Sequence, residues 1–594
     1  MKFSSERLRR YIRIEGHVSP QGDLENYFFL KRVNGLTQVF NCSSPASWPN
    51  QITFFEEGVD SFSLSPCGLY VAVLVNSGGS EHGPIVLIDL ENQVSKVVLQ
   101  EPDTQSGGIV WSADGSRFLF RSNIENKRDY KIYEYKLGVD SYALRIDCQG
   151  WGYPIQYSPC ERYILYGVAS SGANQDLYMY NVKDDDSKHL TPHEGDVRYE
   201  ALLLSCGEKI ILLSDIHSEF KRLYIMNTDG KNKRSVGNEY SWELSSLEVS
   251  RDSRYAAFVI NEAGYSRLAV VEIQTGLELA LPEFKGVIGS YKFSSENGLL
   301  LSYQSSKQSS DCYYFKLGGD SLSQLTFSSY QGLNKDLFIE PELIEYESFD
   351  GLRIPAFLYL PKGCKAGSPV PMVIHFHGGP EGQFKPIFYK HLQYLLELGI
   401  GVCAPNIRGS SGYGAEYMAL DDYRKRPDAI QDGIELAKFL VEKGYTSFDK
   451  LGVVGGSYGG FMVLALITNA PKYFAAAVNV VGISNLVTFL KNTKPYRRKL
   501  REAEYGPLND EIFLESISPI HKLSEVRTPL LVVHGVTDPR VPISEAEQLV
   551  GGLKLAKKEV DYLFFEDEGH GIRKLSNQIE YFEAMIKFFI KNLF

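Results

Sequence analysis

Gly455-Gly456-Ser457-Tyr458-Gly459 is a G-x-S-x-G pattern between a short apolar run, Lys450 to Val454, and an unbroken one, Phe461 to Ile467. The first run reads as a buried strand and the second as a helix, so the serine falls on a strand-to-helix turn. Small residues are needed there, because the nucleophile sits in a strained backbone conformation and the helix packs close. Such a turn lifts the Ser457 hydroxyl into a cleft near a helix N-terminus, where backbone N–H groups face a developing negative charge. Taken alone, the motif is also compatible with a glycine-rich turn without chemistry. No register gives G-x-G-x-x-G, which disfavours a dinucleotide loop. A serine hydroxyl is a poor nucleophile at neutral pH and needs a base. His570, in Glu568-Gly569-His570-Gly571, would take the proton and later return it to the leaving group. Asp538, in His534-Gly535-Val536-Thr537-Asp538-Pro539, would hold the imidazole in the useful tautomer and stabilise its charged form. Donors to an acyl oxyanion are expected from the Tyr458 N–H and from Gly379 in His375-Phe376-His377-Gly378-Gly379-Pro380.

The elements that must position these groups are legible from residue 336 onward, where apolar strands alternate with amphipathic helices. Strands are expected at Pro371 to Phe376, Val402 to Ala404, the run before Ser457, Ala475 to Val480, Leu530 to Val533 and Tyr562 to Phe565. Helices are expected at Tyr389 to Glu397, Ala429 to Lys443 and the C-terminus. The alternation predicts an α/β-hydrolase catalytic domain over 336–594, with a mostly parallel sheet covered on both faces. Ligands in such sheets lie beyond the carboxyl ends of the strands, and Ser457, Asp538 and His570 each follow a strand, in the chain order of α/β-hydrolases. His375 and His377 share a strand face and could be half of a metal site. No third ligand presents itself, so a structural role is preferred. No metal and no cofactor is expected.

The first half repeats a cassette of strand, serine turn and second strand. Its instances begin at Ser19, Ser65, Ser112, Ser158, Ser205, Ser250 and Ser294, spaced 44–47 residues apart. That period with several strands per unit matches a propeller blade better than a parallel solenoid, whose repeats are shorter. Residues 1–335 are therefore assigned to a seven-bladed all-β propeller, with blades over 14–335 and residues 1–13 an N-terminal extension packing on the catalytic domain. The disc offers access control or partner binding and no chemistry of its own. His189, His193 and His217 lack metal-ligand spacing, and Asp184-Asp185-Asp186 reads as a solvated loop.

A chain of 594 residues needs more than one core. Its composition, 43% hydrophobic and 23% charged, is ordinary for a globular protein. The net charge of −11 argues against a nucleic-acid partner. No apolar run approaches the ~20 residues that span a bilayer, and no secretion signal is visible, so no membrane partner is expected. Eight cysteines without a C-x-x-C pair read as reduced thiols of a cytoplasmic protein.

Together the motifs resemble the prolyl oligopeptidase family of serine peptidases, nearest its acylaminoacyl-peptidase branch, over nearly the full chain. The matching stretches are His377-Gly378-Gly379-Pro380, Asn406 to Gly414, Gly455 to Gly460, Ser518-Pro519-Ile520, His534 to Asp538 and Glu568-Gly569-His570. The resemblance implies Ser457, Asp538 and His570 as the triad and the Tyr458 and Gly379 amides as oxyanion donors. It also implies short peptide substrates, the propeller excluding folded chains from a cavity between the domains. The acidic propeller motif of dipeptidyl-peptidase relatives has no counterpart, which disfavours dipeptide release. Acylaminoacyl peptidases often carry an arginine shortly before Ser-Pro-Ile; Leu514 to Ile517 has none. Arg497, Arg498 and Arg501 could compensate or form a solvated helix face. Where relatives commonly have aspartate, Asn485 stands, and Leu486, Phe489 and Leu490 suggest an apolar pocket for the acyl side chain. The expected partner is a short, free or N-acylated peptide or a small acyl substrate, with a homo-oligomer left open. The same acyl-enzyme chemistry would serve an esterase or acyltransferase. A degenerate, non-enzymatic scaffold is the weakest alternative, since the three triad positions are intact.

Overall fold

The computed structural model describes residues 2–319 and 321–594. Seven antiparallel sheets, each from a contiguous stretch of chain, follow one another between residues 17 and 324. They are the seven expected blades. Six have four strands; the sixth in order, built from Glu243–Val249, Tyr255–Glu262 and Tyr265–Glu272, has three among the described residues. Middle strands such as Lys209–Ser214 and Tyr70–Val75 are near-continuous apolar runs because each blade is covered on both faces by its neighbours. Seven separate apolar clusters fill the seven gaps between successive blades. The last, with Tyr27, Phe29 and Phe40 against Leu300, Cys312 and Tyr314, joins blade 1 to blade 7 and closes the ring. At the same seam His17 Nδ1 lies 2.8 Å from Asp311 Oδ1, and Ser310 Oγ donates to His17 O.

Most cassette serines hold the turn between a blade's first and second strands. Ser65 Oγ accepts from Tyr70 N, Ser158 Oγ from Tyr163 N and Ser250 Oγ from Tyr255 N, all at 2.9–3.0 Å. Two instances are displaced. Ser19 lies inside the strand His17–Asp23, at a register shift with φ 57°, and that blade turns instead between Asp23 and Asn26. In blade 5 the backbone role belongs to Leu204, whose N–H bonds to Lys209 O, one residue before Ser205.

The second domain is an eight-stranded sheet. Its order is Glu342–Glu347, Arg353–Tyr359, Gly401–Pro405, Met372–Phe376, Leu451–Gly456, Ala476–Val480, Leu530–Gly535, Val560–Phe565. Pairing is parallel from Gly401–Pro405 onward and antiparallel at the first two strands, an edge not read in the sequence. Helices Arg426–Glu442, Tyr458–Asn469, Leu486–Asn492 and Ser544–Leu555 cover one face. Lys390–Glu397, Leu575–Leu593 and the N-terminal helix Ser5–Ile12 cover the other. Ser5–Ile12 buries Leu8, Tyr11 and Ile12 in that core, and its Arg7 forms a two-pronged ion pair with Glu397.

The domains meet through the propeller hairpins that join second to third strands. Asn261 Nδ2 donates to Gln383 Oε1 (2.7 Å), Glu219 Oε1 accepts from Glu416 N (2.8 Å), and the Tyr130 ring meets Tyr496 edge-on. Arg540 pairs with Glu81, and Thr537 Oγ1 donates to Gly78 O. The serine turns lie at the opposite ends of the strands, on the far face of the disc. Gly412 and Gly414 of the Asn406 to Gly414 motif lie at this boundary with φ near 91° and 101°. A Cβ there would stand 2.4 Å from Asn261 Nδ2 and 1.9 Å from a Glu219 carboxylate oxygen.

Candidate active site

Ser457 caps the strand Leu451–Gly456 and precedes the helix Tyr458–Asn469, with φ 58° and ψ −117°. A non-glycine residue pays for that conformation and keeps it only where the surroundings enforce it. Here Ser457 N donates to Val480 O on the next strand (2.9 Å), and Ser457 O accepts from Phe461 N (3.0 Å). The glycines are fixed by contact: a Cβ on Gly459 would stand 2.4 Å from Phe376 O, and one on Gly460 2.6 Å from Gly482 Cα.

Asp538 follows the strand Leu530–Gly535 with its side chain wholly buried. Its Oδ1 accepts from the N–H groups of Arg540 (2.7 Å) and Val541 (3.0 Å), and its Oδ2 lies 2.7 Å from His570 Nδ1. With both carboxylate oxygens engaged, the imidazole has one orientation available. His534 steadies the same loop, its Nε2–H donating to Val541 O at 2.9 Å. His570 and Ser457 line one cavity of about 400 Å³. Among the described residues no hydrogen bond joins them; such contacts are often loose in unliganded enzymes and tighten around substrate.

Gly378 and Gly379 line the same cavity. A Cβ on Gly378 would be 3.5 Å from Ser457 Cβ. Gly378 O accepts from His377 Nδ1 (2.9 Å), which in a trans peptide turns the Gly379 N–H to the opposite side. Gly379 O accepts from Arg501 Nη1 at 3.2 Å. His377 is thus a loop anchor, its Nε2 2.9 Å from Ser410 Oγ. Burial depresses its pKa, and drives that of His375 down to about 4. Among the described residues no group of three or more His, Cys, Asp or Glu side chains is placed to hold a metal. Tyr458 opens the helix, so its N–H lacks an intrahelical acceptor. Its ring turns inward beneath the buried Arg426, and its hydroxyl donates to Asp421 Oδ2 at 3.0 Å.

Of the substrate residues expected from sequence, Phe489, Arg497 and Arg501 line the cavity and three do not. Leu486 and Leu490 are wholly buried in the core beneath the sheet, because a short helix shows the cavity only one side. Arg498 points the other way and donates to the carbonyls of Leu490, Lys491 and Thr493. Asn485 is a helix cap: its side chain accepts from Val487 N and Thr488 N. Sequence reasoning missed Tyr505, Val480, Ile483 and Arg540 on the cavity wall. Tyr505 was findable, since Arg497, Arg501 and Tyr505 recur every fourth residue along the helix Pro495–Tyr505. Beside them Glu504 is buried, and burial pushes its carboxyl up to about 7 against the pull of Arg501, with which it is paired.

The model of the prolyl oligopeptidase family matches residues 386–594, and that of the prolyl oligopeptidase N-terminal β-propeller domain matches residues 48–327. The chain belongs to the prolyl oligopeptidase family of serine peptidases. It is 23% identical to dipeptidyl peptidase family member 6 of Caenorhabditis elegans, over 98% of this chain and 83% of that one. It is 29% identical to acylamino-acid-releasing enzyme 1 of Oryza sativa subsp. japonica, over 41% of this chain and 33% of that protein. A puromycin-hydrolyzing peptidase of Mycobacterium tuberculosis shares the fold, with a TM-score of 0.87 at 19% identity, covering 100% of this chain and 96% of that chain. As a family member the chain is a serine hydrolase of the prolyl oligopeptidase type. No helix of the described residues is long and apolar enough to cross a membrane.

Proposed function

We propose that this chain hydrolyses short peptides, N-acylated ones among them, through an acyl-enzyme on Ser457. His570 accepts the hydroxyl proton as Ser457 attacks the carbonyl carbon, and returns it to the departing amine. A water then attacks the acyl-enzyme by the same route in reverse order, freeing the acid and restoring the serine. Asp538 holds the ring and offsets its transient charge. The N–H groups of Tyr458 and Gly379 receive the oxyanion. The observation that carries this reading is the buried Asp538 carboxylate bonded to His570 Nδ1 at 2.7 Å, with that ring on the wall of the cavity that holds the strained Ser457. The propeller hairpins around this mouth support a role in limiting substrate size. Similarity to an acylamino-acid-releasing enzyme supports blocked peptides as substrates, and eight unpaired cysteines support a reducing compartment such as the cytoplasm.

The test is turnover of a peptide library read by mass spectrometry. Ser457→Ala should lower kcat by about 10⁶ and Asp538→Asn by about 10⁴. Undiminished turnover by Ser457→Ala would remove the proposal. Ester hydrolysis and transfer to an amine share the intermediate; product masses from aryl esters and added amines separate them, and exclusive ester turnover would reject the peptidase reading.

A further inference from the structure

The cavity beside Ser457 carries three guanidinium groups, those of Arg497, Arg501 and Arg540, and no carboxylate among its described lining residues. Two of the three are satisfied from behind. Arg501 is held by Glu504 and Gly379 O, and Arg540 by Glu81 across the domain boundary. Arg497 is half-buried and, unlike Arg501 and Arg540, forms no ion pair among the described residues. Burial depresses its pKa first, the neighbouring charges of Arg501 and Arg540 depress it further, and Tyr496 and Glu81 offset this in part. A guanidinium does not shed its proton in a protein, so the fold keeps a half-desolvated positive charge without an ion-pair partner one helical turn from Arg501. Such a charge is costly unless an anion relieves it.

We infer that Arg497 receives a carboxylate of the substrate. This rests on reading the cavity as the site of acyl transfer. The planar guanidinium takes a carboxylate through two parallel N–H···O bonds, whereas the isosteric amide offers one acceptor and no charge. The unpaired charge of Arg497 also opposes a substrate that brings a free ammonium to the same place. The substrate class is thus a short peptide with an anionic group near the bond to be cut. That group is either its own C-terminal carboxylate or an aspartate or glutamate side chain.

Binding to Ser457→Ala protein reads the subsite without turnover. Two matched pairs separate the sources: acetyl-Ala-Ala-Ala against its C-terminal amide, and acetyl-Ala-Glu-Ala-amide against its Gln counterpart. The carboxylate member of at least one pair should bind about 10- to 100-fold more tightly than its amide, and the pair that responds identifies the source. Adding Arg497→Gln should shrink that ratio to about twofold or less, and Arg497→Lys should restore it only in part. Equal affinities within both pairs, measured with Arg497 intact, would overturn the inference whether or not the variants fold. Equal kcat/KM for both members of each pair would overturn it while leaving the peptidase reading in place. Selective carboxylate binding without cleavage of any peptide would do the reverse.

Discussion

His391 stacks on Phe582 with ring centroids 4.7 Å apart and meets His375 edge-on, both residues half-buried. Burial drives their pKa values down to about 3 and about 4. In the unfolded chain both would titrate near 6.5. Between those values the unfolded state binds more protons than the folded one. Stability is therefore full above pH 6.5 and is lost as the pH falls toward 4. His391→Phe keeps the stack and removes one titrating group. The slope of stability against pH between 4 and 6 should then flatten by about one proton, read from melting curves across that range. An unchanged slope would mean that the ring is already charged when folded. Seen from sequence, His375 and His377 were two histidines on one strand face. Their roles, a packed ring and a loop anchor, are decided by partners such as His391 and Ser410 that lie further along the chain.

Short helices decide what the cavity presents. Asn485 opens Leu486–Asn492, and Phe489 is the residue of that helix that reaches the cavity. Asn485→Ala should cost about 1 kcal/mol by urea unfolding through loss of the cap, and Asn485→Asp, which keeps an acceptor, a few tenths. A large change in substrate preference from the aspartate variant would contradict the cap assignment. The elements around Ser457 were legible because each is a long apolar run bounded by glycine or proline. The excursion between Ala476–Val480 and Leu530–Gly535 was not, since its helices are short and charged and face both core and cavity. Their apolar spacing alone does not distinguish the core-facing Leu486 and Leu490 from the cavity-facing Phe489 and Tyr505. The blade repeat was readable from its serine turns, which recur because the same hydroxyl-to-backbone bond closes them in blade after blade. The hairpins on the other face vary, each being fitted to a different part of the hydrolase domain.

The two domains behave as one body to the extent that their boundary is tightly fitted, and Gly412 is a point of close fit. Gly412→Val would place a branched side chain against Asn261 and Gln383 at a φ that β-branched residues avoid. A calorimetric scan of that variant should resolve separate transitions for disc and hydrolase, where the parent shows closer coupling. A single unchanged transition would show that this contact does not couple them. The N-terminal helix sets a further condition on assembly. Arg7 pairs with Glu397, 390 positions away, and Leu8, Tyr11 and Ile12 have no other core to enter. At about 5–20 residues per second, synthesis leaves this amphipathic segment waiting roughly 20–80 s for Glu397, and longer for Leu575–Leu593, which completes its docking surface. The segment is thus among the last to be covered, and until then its apolar stripe lies open to chaperones.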